Sequence, residues 1–176
     1  MGREVEMNKK IYPKNKEHFK KLIPFVKKIF SLLRDNRIPF VIYSSYAVFH
    51  YTKDPNLEVN DLDVLIDQKK LPNVMEVLRK NKIKFKFLPE WETLIIKKGK
   101  LKLDIDWMGK GGKGIKEGNI PSKTISINFF GIPAKLVTLP DLCDTYLRGY
   151  KRTKEDKAKI LKKIKHLEAF LGRKLR

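Results

Sequence analysis

From Leu101 to Trp107 apolar and charged side chains alternate without a break. Leu101, Leu103, Ile105 and Trp107 fall on one side, and Lys102, Asp104 and Asp106 on the other. A period of two is that of an extended strand with one buried face. A second stretch, Asp61 to Asp67, has the same form, with Leu62, Val64 and Ile66 on one face and Asp61 and Asp63 on the other. Residues two apart on a strand share a face and lie roughly 7 Å apart. Carboxylates held that close repel unless water solvates them or a cation bridges them. A solvated strand edge accounts for either Asp-x-Asp taken alone. If the two strands are neighbours, three or four acids converge on one patch, and in a basic chain that points to a divalent metal site.

The remaining elements follow from periodicity. Phe19, Leu22, Ile23, Val26, Ile29, Phe30 and Leu33 recur at helical spacing, which predicts a helix from Glu17 to Asn36 that starts near or kinks at Pro24. Ile38 to Tyr43 reads as a buried strand, Leu71 to Lys80 as a helix, and Ile83 to Leu88, Trp91 to Lys97, Ile125 to Phe130 and Ala134 to Thr138 as further strands. Two helices, Leu139 to Tyr150 and Lys154 to Leu171, close the chain. The expected fold is α/β (α+β): a mixed sheet flanked by helices, with a small C-terminal helical cap. The strands after residue 83 follow one another without helices, so that part of the sheet is expected to be antiparallel or mixed. Residues 1–15 read as a flexible basic lead-in, 16–138 as the core, and 139–176 as a helical segment packed on it.

Among 176 residues, 40 are Lys or Arg and 20 are Asp or Glu, a formal charge of +20. A lysine-rich thermophile surface would carry acids in proportion, and this one does not. The surplus favours polyanionic partners. The lone Cys143 excludes an internal disulfide and a cysteine-based zinc cluster, and is expected to pack as a small hydrophobe. No apolar run reaches the length of a membrane span, the N-terminus lacks the apolar centre of a signal peptide, and Glu6 argues against myristoylation. A soluble cytoplasmic protein is expected, with no membrane partner.

Gly109 to Gly114 matches G-x-G-x-x-G by letter. The helix that a dinucleotide site requires is forestalled by Gly118 and Pro121, and Ile115 stands where a Walker loop needs Lys. A mobile basic hairpin loop is expected there. Ser44-Ser45, between a strand and an apolar run, reads as a helix N-cap; the same helix start offers amides, hydroxyls and the positive end of a helix dipole to a phosphate chain. His18, His50 and His166 make no metal spacing. Trp107, Phe129 and Phe130 read as core rather than as platforms for stacked bases.

Taken together, the order of features resembles the nucleotidyltransferase superfamily of the DNA polymerase β type in its minimal form. Phe40-Val41-Ile42-Tyr43-Ser44-Ser45-Tyr46-Ala47 looks like its first strand and turn. Asn60-Asp61-Leu62-Asp63-Val64-Leu65-Ile66 looks like its metal strand, and Leu101 to Asp106 like the strand of its third acid. Leu139-Pro140-Asp141-Leu142, with Arg148 to Asp156, is similar to the C-terminal helices of small members. The likeness spans roughly residues 38 to 165. It implies transfer of a nucleoside monophosphate, AMP from ATP, to a hydroxyl acceptor, with Mg²⁺ or Mn²⁺ as cofactor and a nucleoside triphosphate as substrate. Asp61, Asp63 and Asp104 would be the metal-binding and catalytic acids, with Asp106 as the alternate third. Ser44 and Ser45 would hold the phosphates, and Arg148, Arg152 and Lys154 would contact phosphate or acceptor, which the basic charge allows to be RNA or another acidic molecule. The first turn residue of the family is normally Gly and here is Ser44, so a non-catalytic nucleotide- or partner-binding member is one alternative. A plain basic RNA-binding protein is the other.

Overall fold

A computed structural model describes residues 11–107, 123–152 and 156–175. The glycine-rich loop at 109–114 and Lys154 lie outside the described residues. Helix α1 (Lys16–Asp35) is followed by β1 (Val41–Tyr43), α2 (Ser44–Thr52) and β2 (Leu62–Ile66). Helix α3 (Leu71–Lys80) leads to β3 (Phe85–Leu88), β4 (Thr93–Lys98) and β5 (Leu101–Trp107). The hairpin β6 (Thr124–Phe129) and β7 (Ile132–Val137) precedes α4 (Leu139–Arg152) and α5 (Lys157–Leu171). The strands form one seven-stranded sheet in the order β3-β4-β5-β2-β1-β7-β6. β2 runs parallel to β5, and β1 parallel to β7, while the remaining neighbours are antiparallel, so the sheet is mixed.

Burial on one face dictates this arrangement. α1 buries Phe19, Leu22, Val26, Ile29, Phe30 and Leu33, the apolar stripe of its period, and lies against β5, β7 and α3. It passes through Pro24 rather than starting there. Pro24 is exposed, so water can reach the carbonyl one turn back that proline's missing N–H leaves without its helical donor. On the sheet, Leu103, Ile105 and Trp107 of β5 and Leu62, Val64 and Ile66 of β2 are buried, as the alternation requires. Phe19, Tyr46, Phe129 and Phe130 interlock in edge-to-face and stacked pairs with centroids 5.1 to 6.2 Å apart, tying α1 and α2 to the β6–β7 hairpin. The two residues joining that hairpin, Phe130 and Gly131, both have positive φ (50° and 92°), the requirement of a tight two-residue turn.

Trp91 is not in a strand. Pro89 has no N–H for a ladder, Glu92 adopts a left-handed conformation, and residues Pro89–Trp91 form a 3₁₀ turn that leaves the indole 67% exposed. Trp107 and Phe129 are core, and Cys143 is buried on α4. α4 and α5 pack on each other and on α2, burying Leu142, Ile164 and Leu167. Among the described residues, no helix is long and apolar enough to cross a membrane.

Candidate active site

The chain leaves β1 at Tyr43 and enters α2 with no intervening loop. Tyr43 is fully extended (φ −145°, ψ −163°), and Ser44 then reverses direction with φ +64°. That left-handed value favours glycine; a side chain there costs roughly 1 kcal/mol or more. The geometry corrects the N-cap reading of the serines. Tyr43 occupies the cap position and makes no side-chain cap, and the Ser44 hydroxyl turns instead to hydrogen-bond Asp63. The positive end of α2 is therefore left facing the same space as the acids.

Sheet register brings the acids together. Tyr43 on β1 is paired with Asp63 on β2, and Asp63 in turn with Asp104 on β5. Directly paired residues share a face, so the carboxylates of two separate sequence regions lie side by side. Asp61, Asp63 and Asp104 each present an oxygen within 4.8 Å of the others. Asp106 sits two residues further along β5, is only 2% exposed, and accepts a hydrogen bond from the Tyr43 hydroxyl. Three of the four predicted acids thus form the cluster, and the fourth lies two residues further along the same strand face, accepting from the tyrosine that ends β1.

Lys102 stands among them. Its Nζ lies 2.8 Å from Asp61 Oδ2 and 2.8 Å from Asp104 Oδ2. Asp104 Oδ1 is buried without a hydrogen-bond partner. Electrostatics reflect this crowding. Burial, then the charges of Asp61, Asp106 and Asp104, raises the Asp63 carboxyl from its ordinary 3.8 to about 8. Asp104 is also raised by burial, with Lys102 acting in the opposite sense. For Lys102, burial acts downward, but the hydrogen bonds and charges of Asp104 and Asp61 prevail and hold the ammonium above its ordinary value. Burial and the adjacent Asp106 likewise raise Tyr43 well above a normal phenol. An orphaned carboxylate oxygen, three acidic oxygen donors and a cation already drawn between two of them fit a divalent ion such as Mg²⁺ or Mn²⁺.

A surrounding group of residues, unremarkable in the sequence, positions the cluster. The segment just before Asp61 is tied to the start of α1: Asn15 Nδ2 donates to the Val59 carbonyl (3.0 Å), the Val59 amide donates to Asn15 Oδ1 (3.0 Å), and His18 Nε2 lies 2.7 Å from the Asn60 carbonyl. From α5, Lys163 donates to the Glu58 carbonyl at 3.2 Å, and its ammonium is lowered by burial and by Lys162 while Asp61 and Asp63 oppose that shift. From α4, the Tyr146 hydroxyl is sealed from solvent beside Ser44 and Ser45 and is raised mainly by burial. Arg148, by contrast, is engaged by Asp144 on its own helix. Arg152 ends α4, and Lys154 lies outside the described residues. His166 pairs with Asp54 at 2.6 Å, and the His50 ring contacts those of Tyr46 and Tyr51. Lys163 and Tyr146 had no motif to announce them; Lys102 lay in plain view on the same strand face as Asp104.

The fold that places acids in this way is a known one. The structure superposes on the antibiotic-resistance factor ANT(2'')-Ia, solved in complex with adenylyl-2''-tobramycin, with a TM-score of 0.63 at 11% identity over 86% of this chain and 90% of that one. It also matches the lincosamide antibiotic adenylyltransferase LnuA with lincomycin bound, at a TM-score of 0.55, 15% identity, and 82% and 95% coverage. A third match is an antigenic nucleotidyltransferase-like protein from Paracoccidioides brasiliensis, at 0.56, 13% identity, and 89% and 78% coverage. The chain therefore has the nucleotidyltransferase fold. No family model matches its sequence, and no curated protein sequence does.

Proposed function

We propose that the protein is a metal-dependent nucleotidyltransferase that moves a nucleoside monophosphate, AMP from ATP, onto a hydroxyl acceptor. One observation carries this reading: carboxylates from β2 and β5 converge within 4.8 Å beside the left-handed turn that opens α2. The adenylyl product bound to ANT(2'')-Ia and the adenylyltransferase activity of LnuA support adenylate as the transferred group.

Asp61, Asp63 and Asp104 would hold the ions. When bound, Mg²⁺ or Mn²⁺ neutralises the triphosphate and polarises the phosphorus under attack. The first-turn amides of α2, that of Ser44 included, with the Ser45 hydroxyl, would hold the β- and γ-phosphates at the positive end of the helix, while the Ser44 hydroxyl serves Asp63. The acceptor oxygen attacks the α-phosphorus in line; the bond to the bridging oxygen breaks, and pyrophosphate leaves. Asp104, raised by burial, takes the proton of the acceptor hydroxyl. The Ser44 hydroxyl hydrogen-bonds Asp63 and would steady that carboxylate among the acids that would hold the ions. The hydrogen bond from Tyr43 to Asp106 ties the end of β1 to β5.

The acceptor is acidic, RNA foremost. Lys86 is register-paired with Ile95, which faces Asp104, and Lys97 lies across from Lys102; both Lys86 and Lys97 are exposed on the face that bears the acids. A cationic acceptor such as an aminoglycoside would meet like charge there, whereas a phosphate backbone would be attracted.

The test is incubation with nucleoside triphosphates labelled at the α-phosphate, with Mg²⁺ or Mn²⁺ and a panel of RNA and small hydroxyl acceptors. Label transfer and pyrophosphate release by the wild type should fall at least about a hundredfold in Asp61→Asn and Asp63→Asn. Absence of transfer from every donor would leave a nucleotide-binding module. RNA retention that ignores both substitutions and weakens steeply with salt would point to a plain RNA-binding protein.

A further inference from the structure

Lys102 differs from the other paired lysines of the described structure. Lys14, Lys20, Lys159 and Lys174 each meet one acid, with side chains between 44% and 84% exposed. Lys102 is 30% exposed, and its ammonium bridges two acids, Asp61 and Asp104, at 2.8 Å each. Those are two of the three carboxylates whose oxygens converge. One strand supplies both the cation and one of its acids, two residues apart on the same face, so the contact needs no rearrangement of the backbone.

A structural salt bridge would pair one charge with one charge and exhaust both. Here a single positive charge is shared by two carboxylates, Asp104 Oδ1 is still without a partner, and Asp63 stands alongside. The ammonium is long-stemmed and flexible, and its hydrogen bonds to Asp61 and Asp104 are the ones a divalent ion would replace. Release would return the lysine head to the open face of the sheet, where a triphosphate would lie.

We propose that Lys102 is a built-in place-holding cation: it occupies the carboxylate centre in the metal-free protein and is displaced when a divalent ion enters. This inference rests on the metal-binding reading above and adds to it a residue that sets how tightly the ion binds. A resident ammonium must be driven off, so metal affinity is lower than three clustered acids alone would give. In return the acids are held in position before the ion arrives.

The experiment compares Mn²⁺ binding by calorimetry to the wild type, Lys102→Met, Lys102→Arg and Asp63→Asn at about pH 8. Lys102→Met keeps the apolar stem and should bind Mn²⁺ roughly tenfold more tightly than wild type. Lys102→Arg keeps the charge in a fork suited to carboxylates and should bind no more tightly than wild type. A second measurement uses the unmodified protein: acetylation of Lys102 by an amine-directed reagent, mapped by peptide mass spectrometry, should be slow without metal and several-fold faster with Mn²⁺. Unchanged or weaker Mn²⁺ binding by folded Lys102→Met overturns the proposal. So does equal labelling with and without metal, which decides the matter if Lys102→Met does not fold. If the wild type binds Mn²⁺ and Asp63→Asn does not, while Lys102 affects neither readout, only the place-holder role fails. If the wild type binds no Mn²⁺, the metal-binding reading and the place-holder fall together.

Discussion

At Asp63, burial and the three neighbouring carboxylates all act on one side chain in the same direction. Its carboxyl titrates at about 8 in the folded protein against an ordinary 3.8. As pH rises between those values the unfolded chain releases a proton that the folded chain keeps, so unfolding becomes more favourable. The contribution is stabilising below the ordinary value and is lost as pH climbs through the folded one. In metal-free buffer, Asp63→Asn should therefore be more stable than wild type, by a margin that widens from about pH 5 to about pH 8 and then levels. Thermal midpoints of the two proteins across that range test this; a margin independent of pH would show that Asp63 is not under such strain. The Asp-x-Asp spacing made the pair visible in sequence, but the choice between Asp104 and Asp106 was not: both share a face, and only the parallel register of β2 and β5 sets Asp104 beside Asp63 and Asp106 beside Leu65. Ser44 was equally ambiguous. Its residue type reads as a cap, whereas its φ of +64° makes it the turn itself.

Whole elements are legible in the sequence where one face is buried. β5 alternates strictly because helix α1 covers one of its faces and the acids line the other. The stretch from Trp91 looked equally strand-like, yet proline chemistry at Pro89 and the left-handed Glu92 delay β4 to Thr93. α5 has no motif, and its part in the site comes through packing. Leu167 is fully buried where α5 meets the rest of the molecule, and the same helix carries Lys163 to the Glu58 carbonyl. Leu167→Ala should destabilise the protein by about 2–4 kcal/mol, read from urea unfolding. A loss below about 1 kcal/mol would mean that α5 is held by something other than its apolar face.

The molecule as a whole carries a formal charge of +20, so its compact state works against self-repulsion. Salt screens that repulsion over a Debye length of about 10 Å at 0.1 M. Raising NaCl from about 0.05 M to about 0.5 M should increase the thermal midpoint by several degrees in the absence of polyanions. A flat or falling midpoint would show that surface ion pairs outweigh the net charge. Under the proposed function, the same field would draw a polyanionic substrate toward a centre whose own groups are acidic.

The sequence alone determined what depends on neighbours along the chain: the two acid-bearing strands, the amphipathic α1, the helix pair at the C-terminus, and the excess of positive charge. These follow from local periodicity and composition, which are written in the order of residues. The tertiary structure decided the order of strands in the sheet, the third carboxylate, the left-handed turn at Ser44, and the approach of Lys102, Tyr146 and Lys163. Those depend on register and packing between segments tens of residues apart, where a shift of one residue along a strand sends every side chain to the opposite face.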